Sequence, residues 1–435
     1  MNHTTKILLP TKILLPVAII GFLTTTPVSV AAQEPTVRVS LEEALGLFAT
    51  NNLELRLARS RRAEAAGLAR QANAFPNPTA AVTYEPLSRN GQDYSETYVT
   101  LTQRFELPGE RSARAEAANG ILGAAEARMW ADSARLGFAV KQAFVEAVMA
   151  EERLAISERV TGVFRLGAQS AVVREAEGDI SLYELRRLVV ERARYENLLA
   201  DAQLAVSAAR RSLTLLLLPE VEGAEVAPSG PLGVSPPDPG LDGVLEGAVS
   251  RRQEVAAARA EVEAALAGVR LARAERIPDI TAIGGAKRQS DGFQGLFLGL
   301  SIPLSLFDRS AGAIEATEAQ VRSAEGRLAL TSRQVENDLR GAIESYQSLR
   351  DRSELLGENL LDEGPDLLQI AQVAYDAGEM DLVQLLDAAE ALWDARTAQA
   401  RLKADLWTAY YDLERAVGGF DPPAGAGTTS TGIGL

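Results

Sequence analysis

The chain has 435 residues and a formal net charge of −15, with 46% hydrophobic residues but only 5% aromatic ones. That acidity speaks against nucleic acid as a partner, because phosphate binding needs a basic surface. There is no cysteine and a single histidine, His3, which removes thiol nucleophiles, disulfides, His-based acid–base pairs and most transition-metal sites.

At the start, Lys6 and Lys12 precede the apolar run from Ile13 to Leu23, and Ser29-Val30-Ala31-Ala32 supplies small residues. Residues 1–32 are therefore predicted to be a secretory signal peptide, its apolar run too short to cross a bilayer. TKILLP occurs twice, at Thr5–Pro10 and Thr11–Pro16. Removing this segment takes away His3 and two lysines and leaves a charge of −17. An exported chain without His or Cys is expected to be neither an enzyme nor a cofactor carrier.

A helix is predicted from Leu41 to Ala74, with Ser40 as its N-cap and Glu43 completing a capping box. Pro76 and Pro78 end it. Strands are predicted within about 78–107: Thr79 to Glu85 is β-favouring, and Tyr98 to Leu107 alternates. There Val99, Leu101, Phe105 and Leu107 share one face, opposite Thr100, Thr102, Arg104 and Glu106. A long helix runs from Arg111 to Glu177, with a heptad seam at Leu136, Val140, Ala143, Ala147, Ala150 and Leu154. Gly178 marks a sharp turn, and a returning helix spans Ile180 to Leu217.

The same order then recurs. Residues 219–240 are rich in Pro and Gly and are predicted to be an irregular linker. Residues 33–218 form a first repeat and 241–418 a second. Gly178, Asp179, Leu182 and Leu185 match Gly378, Glu379, Leu382 and Leu385 at a separation of 200. Pro76-Asn77 matches Pro278-Asp279, and Leu101–Leu107 matches Leu300–Leu306. Strands are predicted within about 279–306, where Leu296, Leu298, Leu300, Ile302, Leu304 and Leu306 line one face. The second long helix, Ser310 to Ala377, carries the seam Val335, Leu339, Ala342, Tyr346, Leu349, Ser353, Leu356 and Leu360. Residues 419–435 are predicted to be a disordered tail.

The fold class is thus mainly α with a small β part, a duplicated unit of helix, strand hairpin, long helix and helix. A helix of such length reaches about 100 Å, too long for a compact domain. Each pair of short helices laid end to end matches one long helix. The strands then lie at one end of a rod, and the turns at Gly178 and Gly378 at the other. The six-aliphatic strip suits a lipid-facing strand, although a helix-covered sheet would also bury it. Four strands cannot close a membrane barrel and open edges are prohibitive in lipid, so a membrane reading demands an oligomer. Eight strands would be filled by their own side chains, and twelve could enclose a passage.

Together the signal peptide, the duplication, the strand hairpins, the glycine-turned coiled coils and the linker resemble the TolC-like outer-membrane efflux protein family. The resemblance covers about Val37 to Gly419. It implies a homotrimer whose twelve-stranded β-barrel sits in outer-membrane lipid and continues as an α-helical coiled-coil barrel across the periplasm. The chain would then be the passive exit duct of a tripartite efflux system, with a periplasmic adaptor (membrane fusion) protein and an inner-membrane pump as partners. The segment Gln103-Arg104-Phe105-Glu106-Leu107-Pro108-Gly109-Glu110-Arg111 is similar to the heavy-metal, CzcC-like branch, which works with resistance–nodulation–division pumps. Type I secretion and multidrug efflux are the alternatives within the class, and a structural periplasmic coiled-coil protein lies outside it.

By the same resemblance, Gly178, Leu182, Gly378 and Leu382 correspond to tips that meet the adaptor. Independently of any partner, glycine at a helix–helix turn permits a positive φ. Family members often place carboxylates six and nine residues beyond the second glycine to line a closed entrance. Those positions are Gln384 and Asp387 here, and Glu184 and Arg187 in the first repeat. Three copies of Asp387 would form an acidic ring, and Arg187 could hold the tip shut through a carboxylate. A charge at any of the four also suits a solvated helix face. Aromatics near the strands (Tyr84, Tyr94, Tyr98, Phe105, Phe293, Phe297, Phe307) are expected to form a membrane girdle.

Overall fold

A computed structural model describes residues 36–107, 109–221, 223–230, 235–240, 247–360 and 364–419. The predicted signal peptide and nearly all of the predicted tail lie outside these residues, as does part of the linker.

A short strand β1 (Thr36–Val39) leads into α1 (Leu41–Asn51) and α2 (Leu53–Ala72). The hairpin β2 (Thr79–Arg89) and β3 (Gln92–Phe105) follows, then α3 (Glu110–Glu177), 68 residues long, and α4 (Leu182–Leu217). The second half has β4 (Glu225–Pro228), α5 (Ala248–Arg251), α6 (Gln253–Ala274), β5 (Ile280–Gln289), β6 (Gln294–Ser301), α7 (Ala311–Leu360), α8 (Gly364–Asp376) and α9 (Leu382–Val417). No helix among the described residues is long and apolar enough to cross a membrane.

Two sheets form. β1 pairs in parallel with β4, so the segment read as an irregular linker contributes a strand. β2, β3, β5 and β6 make one antiparallel sheet in that order, leaving β2 and β6 as its edges. Asn90 and Gly91 close the first hairpin with φ of 52° and 77°, the paired positive angles of a tight I′ turn. β6 ends at Ser301, earlier than the alternation through Leu306 suggests. Pro303 has no N–H to continue the ladder.

Neither short first helix is continuous. Asn52 takes extended angles (φ −62°, ψ 127°) between α1 and α2, and Arg252 takes nearly the same (φ −64°, ψ 129°) between α5 and α6. The break in the first repeat is stabilised by one side chain. Asn52 accepts from the Leu55 N–H at 2.9 Å and donates from Nδ2 to the Leu216 carbonyl at 3.0 Å. Arg252 makes no such cap; its guanidinium pairs with Glu254 at 2.8 Å.

The heptad seams are where the helices meet. Leu136, Val140, Ala143, Ala147 and Ala150 are buried in one cluster with Phe48, Leu55 and Leu213. Ala342 and Tyr346 are buried with Leu406 and Leu413 in another. The abundant alanines let backbones approach closely. α3 packs along α2 and α4 of its own repeat and along α6 and α9 of the other, so the two halves share one wall.

Candidate functional site: the helical tips, the sheet–helix junction and the strand faces

At the far end of the hairpins, both turns use the same backbone device. Gly178 has φ 84° and Gly378 φ 76°. The N–H of Gly178 donates to the Glu175 carbonyl and that of Asp179 to the Arg174 carbonyl; Gly378 and Glu379 do the same with Tyr375 and Ala374. This is the Schellman ending, in which a left-handed residue satisfies the last carbonyls of the helix. A new N-cap follows at once. Ser181 accepts from Glu184 N–H while the Glu184 carboxylate accepts from Ser181 N–H at 2.8 Å; Asp381 and Gln384 repeat the pattern.

Of the residues singled out at the entrance, Glu184 and Gln384 are thus occupied as capping-box partners. Asp387 is exposed, and Arg187 is half-buried without an ion pair among the described residues. The paired leucines differ: Leu182 is 55% exposed and Leu382 only 2%. Leu382 belongs to a core with Phe164, Leu188, Tyr375, Leu385 and Leu386 that joins α3, α4, α8 and α9. It packs the tip and offers no surface in this chain.

Sequence reading missed the residue that crosses between the two hairpins. Arg174, in the last turn of α3, donates from Nη1 to the Tyr375 carbonyl at 2.9 Å, and its guanidinium stands 5.1 Å from the centre of that ring. Burial pushes the Tyr375 hydroxyl pKa up, and the nearby Arg174 charge opposes the shift. A second link joins Arg194 of α4 to Glu390 of α9 at 3.1 Å. Exposed pairs of that kind contribute about 0.2–1 kcal/mol each, so the hairpins are held together but not welded. An Arg four residues before a tip glycine carries no local signal; only the fold brings it to the other repeat.

The segment Gln103–Arg111 lies where sheet becomes helix. Arg104 pairs with Asp279 and reaches Glu110 at 3.5 Å; Arg114 pairs with Glu106 and donates to the Ala72 and Ala74 carbonyls. Gln103 donates to the Pro76 carbonyl, and Arg111 stacks over Phe75 at 4.1 Å. One polar cluster therefore ties the end of α2, β3, the start of α3 and the approach to β5. Its three carboxylates, Glu106, Glu110 and Asp279, are 5%, 7% and 10% exposed at their side chains. Two arginines face them, so one negative charge is left over. Burial, reinforced by Asp279 and opposed by Arg104, pushes the Glu110 carboxyl up to about 7.

A carboxyl whose pKa rises on folding binds its proton more tightly in the folded chain, so it stabilises at low pH and loses that contribution as pH climbs through its folded value. From this group alone, stability should rise as pH falls from about 8 toward 5, by at most about 1.4 kcal/mol per unit. Glu110→Gln should flatten the slope and raise the thermal midpoint at pH 8, followed by circular dichroism. A variant with the wild-type pH slope would show that the excess charge sits elsewhere.

The four-stranded sheet has two unlike faces. Leu296, Leu298 and Leu300 are 88%, 91% and 76% exposed, and register places Ala282, Gly284, Leu101 and Val99 on the same side. The opposite face carries Thr83, Glu96, Tyr98, Thr100, Lys287 and Gln289. Tyr98 and Phe297, expected in a girdle on the apolar side, lie on this polar face and touch each other. Tyr84, Phe105, Phe293 and Phe307 remain exposed. Among the described residues, no group of three or more His, Cys, Asp or Glu is placed to hold a metal ion.

The chain thus carries an exposed apolar strip on a small open sheet at one end of a bundle of helices about 100 Å long. Residues 244–419 match the family model described as outer membrane efflux protein. The chain is 28% identical over 403 residues to the cobalt-zinc-cadmium resistance protein CzcC of Cupriavidus metallidurans, covering 91% of this chain and 93% of that one. It is 28% identical over 318 residues to the nickel-cobalt-cadmium resistance protein NccC of Alcaligenes xylosoxydans xylosoxydans, covering 68% and 67%. In fold it is similar to a crystal structure of CusC, with a TM-score of 0.70 at 20% identity over 88% of this chain and 94% of that one. Over its second half by family model, and along most of its length by relatives and fold, the chain is thus similar to outer-membrane efflux proteins.

Proposed function

We propose that three copies of this chain close a twelve-stranded barrel in the outer membrane and continue it as a tube of helices, forming the passive exit duct of a tripartite efflux system. The observation that carries this is the open sheet, with β2 and β6 at its edges and the leucine strip exposed beside them. Lipid cannot satisfy edge N–H and C=O groups, so β2 of one copy must pair with β6 of the next. Twelve strands are the smallest closure among multiples of four here that leaves a passage.

At the other end, the tips around Gly178 and Gly378 are the surface for a periplasmic adaptor, which connects the duct to an inner-membrane pump of the resistance–nodulation–division class. Leu182 stands at that surface, and Leu382 supports it from behind. Asp387 is the carboxylate that faces the entrance. The cargo is heavy-metal cations, a reading supported by likeness to CzcC and NccC along most of the chain. A mature subunit without His or Cys has no soft or imidazole ligand with which to retain such ions, as suits a conduit.

Deleting the gene should lower tolerance to cobalt, zinc or cadmium and leave tolerance to a panel of dyes unchanged. Loss of dye tolerance with normal metal tolerance would move the chain to the multidrug arm, and a protein secreted less in the deletion strain would move it to type I secretion. Recovery of the protein as a soluble periplasmic monomer would refute the duct itself.

A further inference from the structure

β6 turns Gly295, Phe297, Gly299 and Ser301 away from the leucine strip, so Phe297 is the single large side chain it adds to the polar face. The ring does not stand up from the sheet. Phe297 is half-buried while every other residue of β6 is exposed. It lies over its register partner Gly285 on β5 and meets Tyr98 of β3 edge-on, with ring centres 6.5 Å apart at 76°.

The missing side chain at Gly285 is what admits the ring. A Cβ there would come within 2.7 Å of Phe297 Cζ and 2.6 Å of the Val99 carbonyl oxygen, and non-bonded atoms do not approach so closely. Tyr98, the far wall of this notch, is itself held in place. Its hydroxyl donates to Glu96, and Lys287 lies 5.2 Å from the ring centre and 2.7 Å from the Glu96 carboxylate. On the same face of β6 the neighbours two residues either way are Gly295 and Gly299, so nothing else on that strand fills the space above the sheet.

Resting on the duct reading, in which the polar face lines the passage, we propose that Phe297 sets the bore of the β-barrel. Three rings stand at one level, each laid flat in its Gly285 notch. The notch keeps the passage open, and a ring lifted out of it would narrow the passage to cargo. Phe297 is then a size-determining residue of the conduit, in a part of the chain remote from both the tips and the entrance.

Single-channel conductance of the full-length protein in planar bilayers tests this. The chain contains no cysteine, so one introduced by substitution is the only thiol. Phe297→Cys, treated with a bulky anionic methanethiosulfonate, should lose conductance in up to three steps; Leu298→Cys, one residue along but on the lipid face, should conduct the same before and after treatment. Phe297→Ala, which removes the ring and leaves the Gly285 backbone untouched, should raise conductance. Unchanged conductance of Phe297→Ala, or of labelled Phe297→Cys, would overturn the assignment. A wild-type protein that forms no pores at all would instead refute the duct reading on which it rests.

Discussion

Leu298→Arg is expected to abolish stable insertion into the outer membrane, removing the heat-modifiable folded band from the membrane fraction. Leu298 is 91% exposed in the chain and sits midway along the leucine strip. Arginine on the lipid face near the bilayer centre costs about 2–4 kcal/mol in a membrane barrel. With one such residue per copy the penalty is met three times, against a total stability of about 5–15 kcal/mol for an ordinary domain. Thr83→Arg, on the polar face of β2 at the other edge of the sheet, should leave the folded band in place. Normal insertion of Leu298→Arg would mean that the strip faces protein or water, and the membrane reading of this sheet would fall.

The tips should give the second large effect. Gly178→Trp and Gly378→Trp are expected to abolish efflux in cells while leaving the yield of folded, membrane-inserted protein near normal. Both glycines hold left-handed backbone, a conformation that costs roughly 1–2 kcal/mol for a residue with a Cβ. That strain is local, at the end of hairpins whose core lies deeper, among Phe164, Leu188, Leu385 and Leu386. Space is open around a Cβ at Gly178, and at Gly378 the nearest atom is Arg174 Nη2 at 3.9 Å. An indole there projects outward into whatever binds the tip. Loss of efflux with normal assembly is the signature of a blocked docking surface, and efflux surviving both substitutions would place docking elsewhere.

Much of this architecture is legible without coordinates because its signals are local and doubled. A glycine followed by an acid and two leucines at fixed offsets marks each tip, and backbone geometry explains why glycine must stand there. The capping boxes are equally local. Ser181-x-x-Glu184 is a helix-start pattern that assigns Glu184 to the cap. Other features depend on contacts that no window of sequence contains. Leu182 and Leu382 occupy matching positions, yet one is exposed and the other buried, because only the second faces the core shared with α8. Arg174 meets Tyr375, and Arg104 meets Asp279, across the duplication. The break at Asn52 interrupts an unbroken helical pattern because its amide finds the carbonyl of Leu216, far along the chain. Tyr98 and Phe297 looked like membrane aromatics by position alone; strand parity, set by register, turns them to the other face.

The paired helix breaks distinguish two halves that otherwise echo each other. At Asn52 the joint is neutral, an amide bonded to backbone, and dissolved ions have little hold on it. At Arg252 the same bend rests on charge: Arg252 on Glu254, with Arg415 of α9 3.9 Å from the same carboxylate. Arg252 is only 2% exposed, so counterions screen this pair far less than they would at the surface. The two repeats thus carry one mechanical joint and one ionic joint at matching positions. Around a closed ring of copies the two kinds would alternate, and every second joint would depend on a charge kept from water.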